Sequence, residues 1–256
     1  MEPMIRIRNL NKSYGRHRVL KDISIDIEPG QVIGYIGPNG AGKSTTVKIL
    51  AGMLGDFTGE VFVKGMDIRK EPVAVKALIG FVPELAELYD VLTPYEFLML
   101  MGALYNLPED VASERAVRMM DAFGLGGDLN QRMDTFSKGM RQKVLIASGL
   151  LHNPEVLILD EPLSGLDANG VILVKELIGR LAKGGKTIFY CSHMMDVVEK
   201  VSDRIILIDQ GEVVADGRLE ELRQMQNKSS LEDIFAGLTA TDSTREACQK
   251  LLGVFD

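Results

Sequence analysis

"VIGYIGPNGAGKSTTVKILAGM", residues 32–53, decides the fold class. It opens on an unbroken apolar run of the kind that forms a parallel strand covered on both faces. Its last ten residues, from Ser44 to Met53, read as a helix. Between the two, "GPNGAGKST" at 37–45 satisfies the pattern G-x-x-x-x-G-K-[ST] in the setting that pattern needs, strand before and helix after. Glycines let backbone N–H groups turn inward around phosphate oxygens, and the helix N-terminus adds the positive end of its dipole. Gly37, Pro38, Asn39, Gly40, Ala41, Gly42, Lys43, Ser44 and Thr45 are therefore the expected phosphate-binding loop. Lys43 would reach the terminal phosphates and Ser44 would hold Mg²⁺.

Working outward, "VLILD" at 156–160 and "TIFYCS" at 187–192 repeat the short apolar run, each followed by a helical stretch. Val174, Leu177, Ile178 and Leu181 fall at helical spacing, and Gly184-Gly185 supplies the stop. Nearer the start, Ile5, Ile7, Val19, Ile23, Ile25 and Ile27 alternate with polar residues, the pattern of antiparallel strands with one solvated face. From about 87 to 150 the strand signals vanish and three helical patterns follow, broken at Pro108 and at "GLGGD", 124–128. The expected architecture is α/β: a mostly parallel core sheet, an N-terminal antiparallel β layer and an inserted helical subdomain. Residues 1–217 would form the nucleotide-binding domain, and 218–256 a short helical tail.

Composition narrows the classes. The chain has 256 residues, 46% of them apolar and 25% charged, which suits a globular protein able to bury a sizeable core. The longest apolar stretch, "FLMLMGALYNLP" at 97–108, falls short of the roughly 18 to 20 residues needed to cross a bilayer. The start, "MEPMIRIRNL", lacks the unbroken segment of a secretory signal. Two cysteines, Cys191 and Cys248, make neither a disulfide framework nor a metal cluster. A net charge of −7 argues against broad binding to nucleic acid or anionic lipid.

Further residues carry chemistry in combination. "VLILDEP" ends a buried strand in Asp160 and Glu161. Alone, such a pair is usually a surface turn. Beside a phosphate loop, Asp160 suits the outer sphere of a hydrated Mg²⁺, and Glu161 can take a proton from an attacking water. His193 at the end of "TIFYCSH" and Tyr14 in "NKSYG" are by themselves no more than an exposed histidine and a loop aromatic. Met99, Met101, Met119, Met120 and Met140 lie in or beside the helical insertion, where core packing is the simpler reading and an adaptable groove for a partner helix the alternative.

Taken in order, these residues resemble the ATP-binding subunits of ABC transporters, over about residues 5–217. Tyr14 is similar to the aromatic that stacks on adenine, "GPNGAGKST" to the Walker A loop and "FSKGM" (136–140) to the signature loop. "VLILDE" is similar to Walker B, "SGLD" (164–167, ending in Asp167) to the D-loop, and His193 to the switch histidine that contacts the γ-phosphate. "FSKGM" departs from the usual Leu-Ser-Gly-Gly-Gln at its first, third and fifth positions, yet keeps a serine and a glycine that can bind phosphate at a helix start. The resemblance implies a head-to-tail pair of ATP-binding subunits, homodimer or heterodimer. Ser137, Lys138, Gly139 and Met140 of one would then close over ATP held by the other. A second departure is Glu84 in "GFVPE", where the family usually has a glutamine that contacts Mg²⁺ and the attacking water. Glu84, "SKGM" and "SLEDIF" (230–235) look like the ABC-2-type exporter branch, which includes drug, antibiotic and sodium efflux ATPases.

The implied function is hydrolysis of ATP, with Mg²⁺, to power a separate transmembrane permease, the subunit being held through it on the cytoplasmic face of the membrane. Lys43, Glu161 and His193 would be catalytic, and Ser44, Asp160 and Glu84 would surround the metal. The competing reading, a non-transport ATPase of this family acting on nucleic acid or ribosomes, calls for long heptad coiled coils or two cassettes joined by a charged linker. The sequence contains neither, so no nucleic acid is expected as a partner.

Overall fold

The structure, a computed structural model, describes residues 2–85, 88–226 and 230–239. Residue 87, the expected start of the helical insertion, and residues 240–256 with Cys248 lie outside them. In chain order the strands are β1 (Ile5–Tyr14), β2 (His17–Ile27), β3 (Val32–Ile36), β4 (Thr58–Val63), β5 (Met66–Asp67), β6 (Ile79–Val82), β7 (Val156–Asp160), β8 (Thr187–Cys191), β9 (Arg204–Asp209) and β10 (Glu212–Gly217). The helices are α1 (Lys43–Leu50), α2 (Pro72–Leu78), α3 (Pro94–Leu104), α4 (Glu109–Ala122), α5 (Lys138–Leu150), α6 (Ala168–Lys183), α7 (Met195–Val201), α8 (Leu219–Gln226) and α9 (Leu231–Thr239).

Two sheets result. β2-β1-β4-β5 is antiparallel throughout, Ile5 facing Ile27 and Ile7 facing Ile25, as the period-two pattern requires. The six-stranded sheet runs β10-β9-β3-β8-β7-β6 and is parallel except for the edge strand β10. This is the expected α/β architecture, a mostly parallel core sheet with an N-terminal antiparallel β layer.

Those runs are continuous because each strand feeds two cores. From β3, Val32 and Ile36 pack into one core and Ile33 and Tyr35 into the other; in β7, Leu157 and Leu159 separate likewise from Val156 and Ile158. On one face lie α1 and the antiparallel sheet; on the other lie α3 to α7. Full burial of each such side chain stabilises by about 1.5–3 kcal/mol. Tyr35 is tolerated because its hydroxyl meets Thr46 Oγ1 at 3.1 Å and its ring packs 4.9 Å from Phe189. Gly34 is dictated by proximity: a Cβ there would stand 2.4 Å from Val198 of α7.

The insertion's three helices have identifiable ends. Thr93 and Glu96 form a reciprocal capping box on α3, Pro94 occupying its first turn. Met120 is fully buried, and Met101, Met119 and Met140 pack against the same core, so these methionines fill volume. The described part of the tail packs on the body, with Leu222, Leu231 and Ile234 buried in that core. Among the described residues no helix is long and apolar enough to cross a membrane.

Candidate active site

Parallel strands deliver their C-terminal ends to one edge, where ligands of open α/β sheets bind. β3 ends in the phosphate loop, β7 in Asp160-Glu161, and β8, lying between them, in Cys191-Ser192-His193. The loop is a close-packed cradle. A Cβ on Gly37 would lie 2.2 Å from Ile208 O, and one on Gly42 2.6 Å from Leu20, while Gly40 and Gly42 sit at φ +82° and +108°. Lys43 Nζ donates to Gly37 O at 2.7 Å and Pro38 O at 3.0 Å, which curls the cation over the loop it serves. Ser44 is exposed at the start of α1. Beside Gly40 lies a hollow of about 410 Å³ lined also by His17, Arg18, Lys21 and Gln210. Sequence reading did not single out those basic residues.

Asp160 is buried, and burial first of all pushes its carboxyl above the usual carboxylate range. The Cys191 thiol donates to it and lowers it; the charges of Glu84 and Glu161 raise it and that of Lys43 lowers it. Lys43, Glu84 and Glu161 thus all lie within electrostatic reach of Asp160, although β3 and β7 are not neighbours. Glu84 arrives because β6 pairs with β7, Val82 against Leu159, two residues before it. Burial likewise raises the Cys191 thiol, which keeps it protonated as a donor.

Glu161 has a left-handed backbone, φ +47°, costing a non-glycine residue about 1–2 kcal/mol. Its N–H donates to Cys191 O at 2.9 Å, and its side chain is held on both oxygens. Oε2 accepts from Ser192 Oγ at 2.9 Å; Oε1 accepts from His193 N at 2.8 Å and lies 2.7 Å from His193 Nδ1. The carboxylate is 13% exposed and the imidazole 76%, so the pair joins the interior to the surface.

A second assembly forms around the start of α5. Ser137 caps it, Oγ accepting from Met140 N at 3.2 Å. Lys138 Nζ donates to Ser164 Oγ at 2.7 Å, and Gly139 lies so close to Gly165 that a Cβ would come within 2.6 Å of its carbonyl oxygen. Asp167 caps α6 by accepting from Gly170 N at 2.9 Å. Buried Gln142 donates to Pro162 O at 3.1 Å, and Arg141 pairs with Asp90. The loop 136–140 and the loop 161–167 are thus one unit, and among the described residues no hydrogen bond or ion pair joins 137–140 to the phosphate loop. Gln142 and Arg141 went unnoticed in the sequence because their partners are distant in the chain.

Tyr14 stands apart on the β1–β2 hairpin, 49% exposed. Lys12 Nζ lies 4.7 Å from its ring centroid and 2.8 Å from Asp56. The cation covers one face of the ring.

The description "ABC transporter" belongs to the family whose model matches residues 20–164 of this chain. That is more than half of it. The chain belongs to the ABC transporter ATPase family. Among its relatives, the linearmycin resistance ATP-binding protein LnrL of Bacillus subtilis is 39% identical over 219 residues, 86% of this chain and 70% of that protein. The ABC transporter ATP-binding protein NatA of the same organism is 39% identical over 220 residues, 85% and 89% of the two chains. A solved ATP-binding subunit of an ABC transporter superposes with a TM-score of 0.87 at 30% identity, covering 93% of this chain and 100% of that one. The cassette MJ0796, solved as a dimer in a post-hydrolysis state with ADP and Pi, gives 0.78 at 27% identity over 84% and 99%. Like the family, this chain binds and hydrolyses ATP as the ATP-binding subunit of an ABC transporter.

The acidic end of the site fits a magnesium ion. Its potential ligands, Ser44 Oγ, Asp160 and Glu84, are all hard oxygens, and a bound cation would relieve the crowding of carboxylates at Asp160. Among the described residues no group of three or more His, Cys, Asp or Glu could hold a metal.

Proposed function

We propose that this chain powers a separate membrane permease of the exporter type, cutting ATP between two ATP-binding subunits arranged head to tail. The observation that carries the catalytic part is the Glu161 carboxylate, fixed by Ser192 and His193 at the end of β7, beside buried Asp160 and the Lys43 loop. A water attacking the γ-phosphorus gives its proton to Glu161, the bond to the bridging oxygen breaks, and ADP leaves with phosphate. Lys43 and the N–H groups of 37–45 bind the phosphates. His193 orients Glu161 through Nδ1 and offers its other ring nitrogen to the γ-phosphate. Ser44, Asp160 and Glu84 would hold Mg²⁺, which when bound neutralises charge on the phosphate oxygens.

Tyr14 stacks on adenine with the ring face that Lys12 leaves free. Ser137 and Gly139, locked to the loop ending in Asp167, act on the partner subunit's ATP. That the MJ0796 cassette was solved as a dimer with ADP and Pi supports a pairing of two such subunits, and the lack, among the described residues, of any hydrogen bond or ion pair between 137–140 and the chain's own phosphate loop is in keeping with it. Export is supported by the departures at Glu84 and "SKGM" and by a relative named for linearmycin resistance. The chain is then held at the cytoplasmic face of the membrane by its permease. The test is co-purification: the tagged chain, extracted from its own membranes in mild detergent, brings down a polypeptide with several apolar spans. Recovery in ribosomal fractions, with no membrane protein, would overturn the transport reading.

A further inference from the structure

We infer that a cavity between the helical insertion and the core sheet, at the far end of β7 from Asp160, is a second binding site, for an amphipathic monocarboxylate of the fatty-acid type. The cavity holds about 290 Å³, with Met119 of α4, Leu150 of α5 and Leu177 and Leu181 of α6 among its walls. Such walls accept a flexible hydrocarbon chain.

Two cations, Arg115 and Lys186, line the same space. Arg115 Nη1 donates to Leu151 O at 2.7 Å, and Lys186 Nζ donates to Asn153 O at 3.1 Å. A guanidinium has five N–H groups and an ammonium three, so each keeps donors to spare. Among the described residues neither forms an ion pair. Glu155, whose charge reaches Lys186, is itself held by Lys64 at 2.6 and 2.8 Å. Partial burial pulls the Lys186 ammonium below its usual range, and the charge of Glu155 offsets only part of that. An apolar cavity with two such cations is complementary to one carboxylate on a hydrocarbon tail.

A reporter lies next to the cavity. His152 stacks on Tyr105, ring centroids 3.6 Å apart, and its imidazole is pulled below its usual range by burial and, after that, by the charges of Lys186 and Arg115. A carboxylate between those cations offsets them, and His152 then titrates at a higher pH.

The full chain is titrated calorimetrically with decanoate and with decanol at monomeric concentrations, and His152 is followed by NMR. Decanoate is expected to saturate one site per chain, with decanol bound at least about tenfold more weakly, the worth of one charge-assisted contact. Lys186→Gln should lower decanoate affinity by the same factor, and Leu181→Trp, which fills the cavity and leaves both cations, should abolish binding. ATP hydrolysis by both variants stays at the parent level, since neither residue touches the nucleotide site. The His152 titration moves up with decanoate and not with decanol. No saturable decanoate binding, equal affinity for decanol, or unchanged decanoate affinity in Lys186→Gln would overturn the inference.

Discussion

Gly139→Ala tests whether the loop 136–140 and the loop 161–167 work as one part. The new Cβ would sit 2.6 Å from Gly165 O, a backbone atom that cannot swing aside as a flexible side chain would. Overpacking of this kind costs about 1–3 kcal/mol, against a gain of about 0.5–1 kcal/mol for replacing glycine inside a helix. The net loss is up to about 2.5 kcal/mol, with a fall in Tm of roughly 2–4 °C for each kcal/mol in a chain of this length. The fold survives. Hydrolysis should suffer far more, because a displacement of about 1 Å in a group that positions substrate costs on the order of 10²-fold in rate. ATP affinity of the dilute chain should not change, since the phosphate loop is untouched. Calorimetric unfolding, ATP binding and steady-state hydrolysis on one preparation separate these quantities. Unchanged hydrolysis per folded molecule, or ATP affinity falling in step with hydrolysis, would refute the reasoning.

Asp160→Asn should raise Tm in the absence of nucleotide while it slows hydrolysis. Burial holds the folded carboxyl above its unfolded value, so its charge costs stability at neutral pH, and that cost fades as pH falls through the folded value toward the ordinary carboxylate range. The gap in Tm between variant and parent should therefore close on acidification; a lower Tm for the variant at pH 7 would contradict this. Tyr14→Ala should weaken ATP and GTP alike, by about tenfold, because stacking needs only a π face; unchanged affinity measured by fluorescence titration removes Tyr14 from the site. Glu84→Gln should leave ATP affinity of the isolated chain unaltered and change hydrolysis stimulated by the permease, as measured in reconstituted vesicles; the reverse pattern makes Glu84 a static ligand.

The strands were legible because a strand buried on both faces must be mostly apolar, and Val32–Ile36, Val156–Asp160 and Thr187–Cys191, buried at every position, depart from that only at their ends, in Asp160 and Thr187, and in the hydroxyls of Tyr35 and Tyr190. The phosphate loop was legible because glycine spacing and strand-helix context are local. What stayed hidden depends on pairs far apart in sequence. Lys12 reaches Asp56 before it can cover Tyr14; Lys138 reaches Ser164; Arg141 reaches Asp90. Glu161 is the clearest case. Nothing in "DEP" announces a glutamate at φ +47°, since the strain is offset by bonds to Ser192 and His193 on another strand's end. The tail read only as a short helical appendage because a helical pattern does not say what the helix packs on, and here Leu222, Leu231 and Ile234 enter the main core.

The central claim is that Glu161 takes the proton from the attacking water. Glu161→Gln keeps the side chain's shape and one carbonyl acceptor for its neighbours, but removes the base. Steady-state ATP hydrolysis by this variant should fall by roughly 10² or more, while ATP still binds. Hydrolysis close to the parent rate, with ATP bound equally well, would contradict the account.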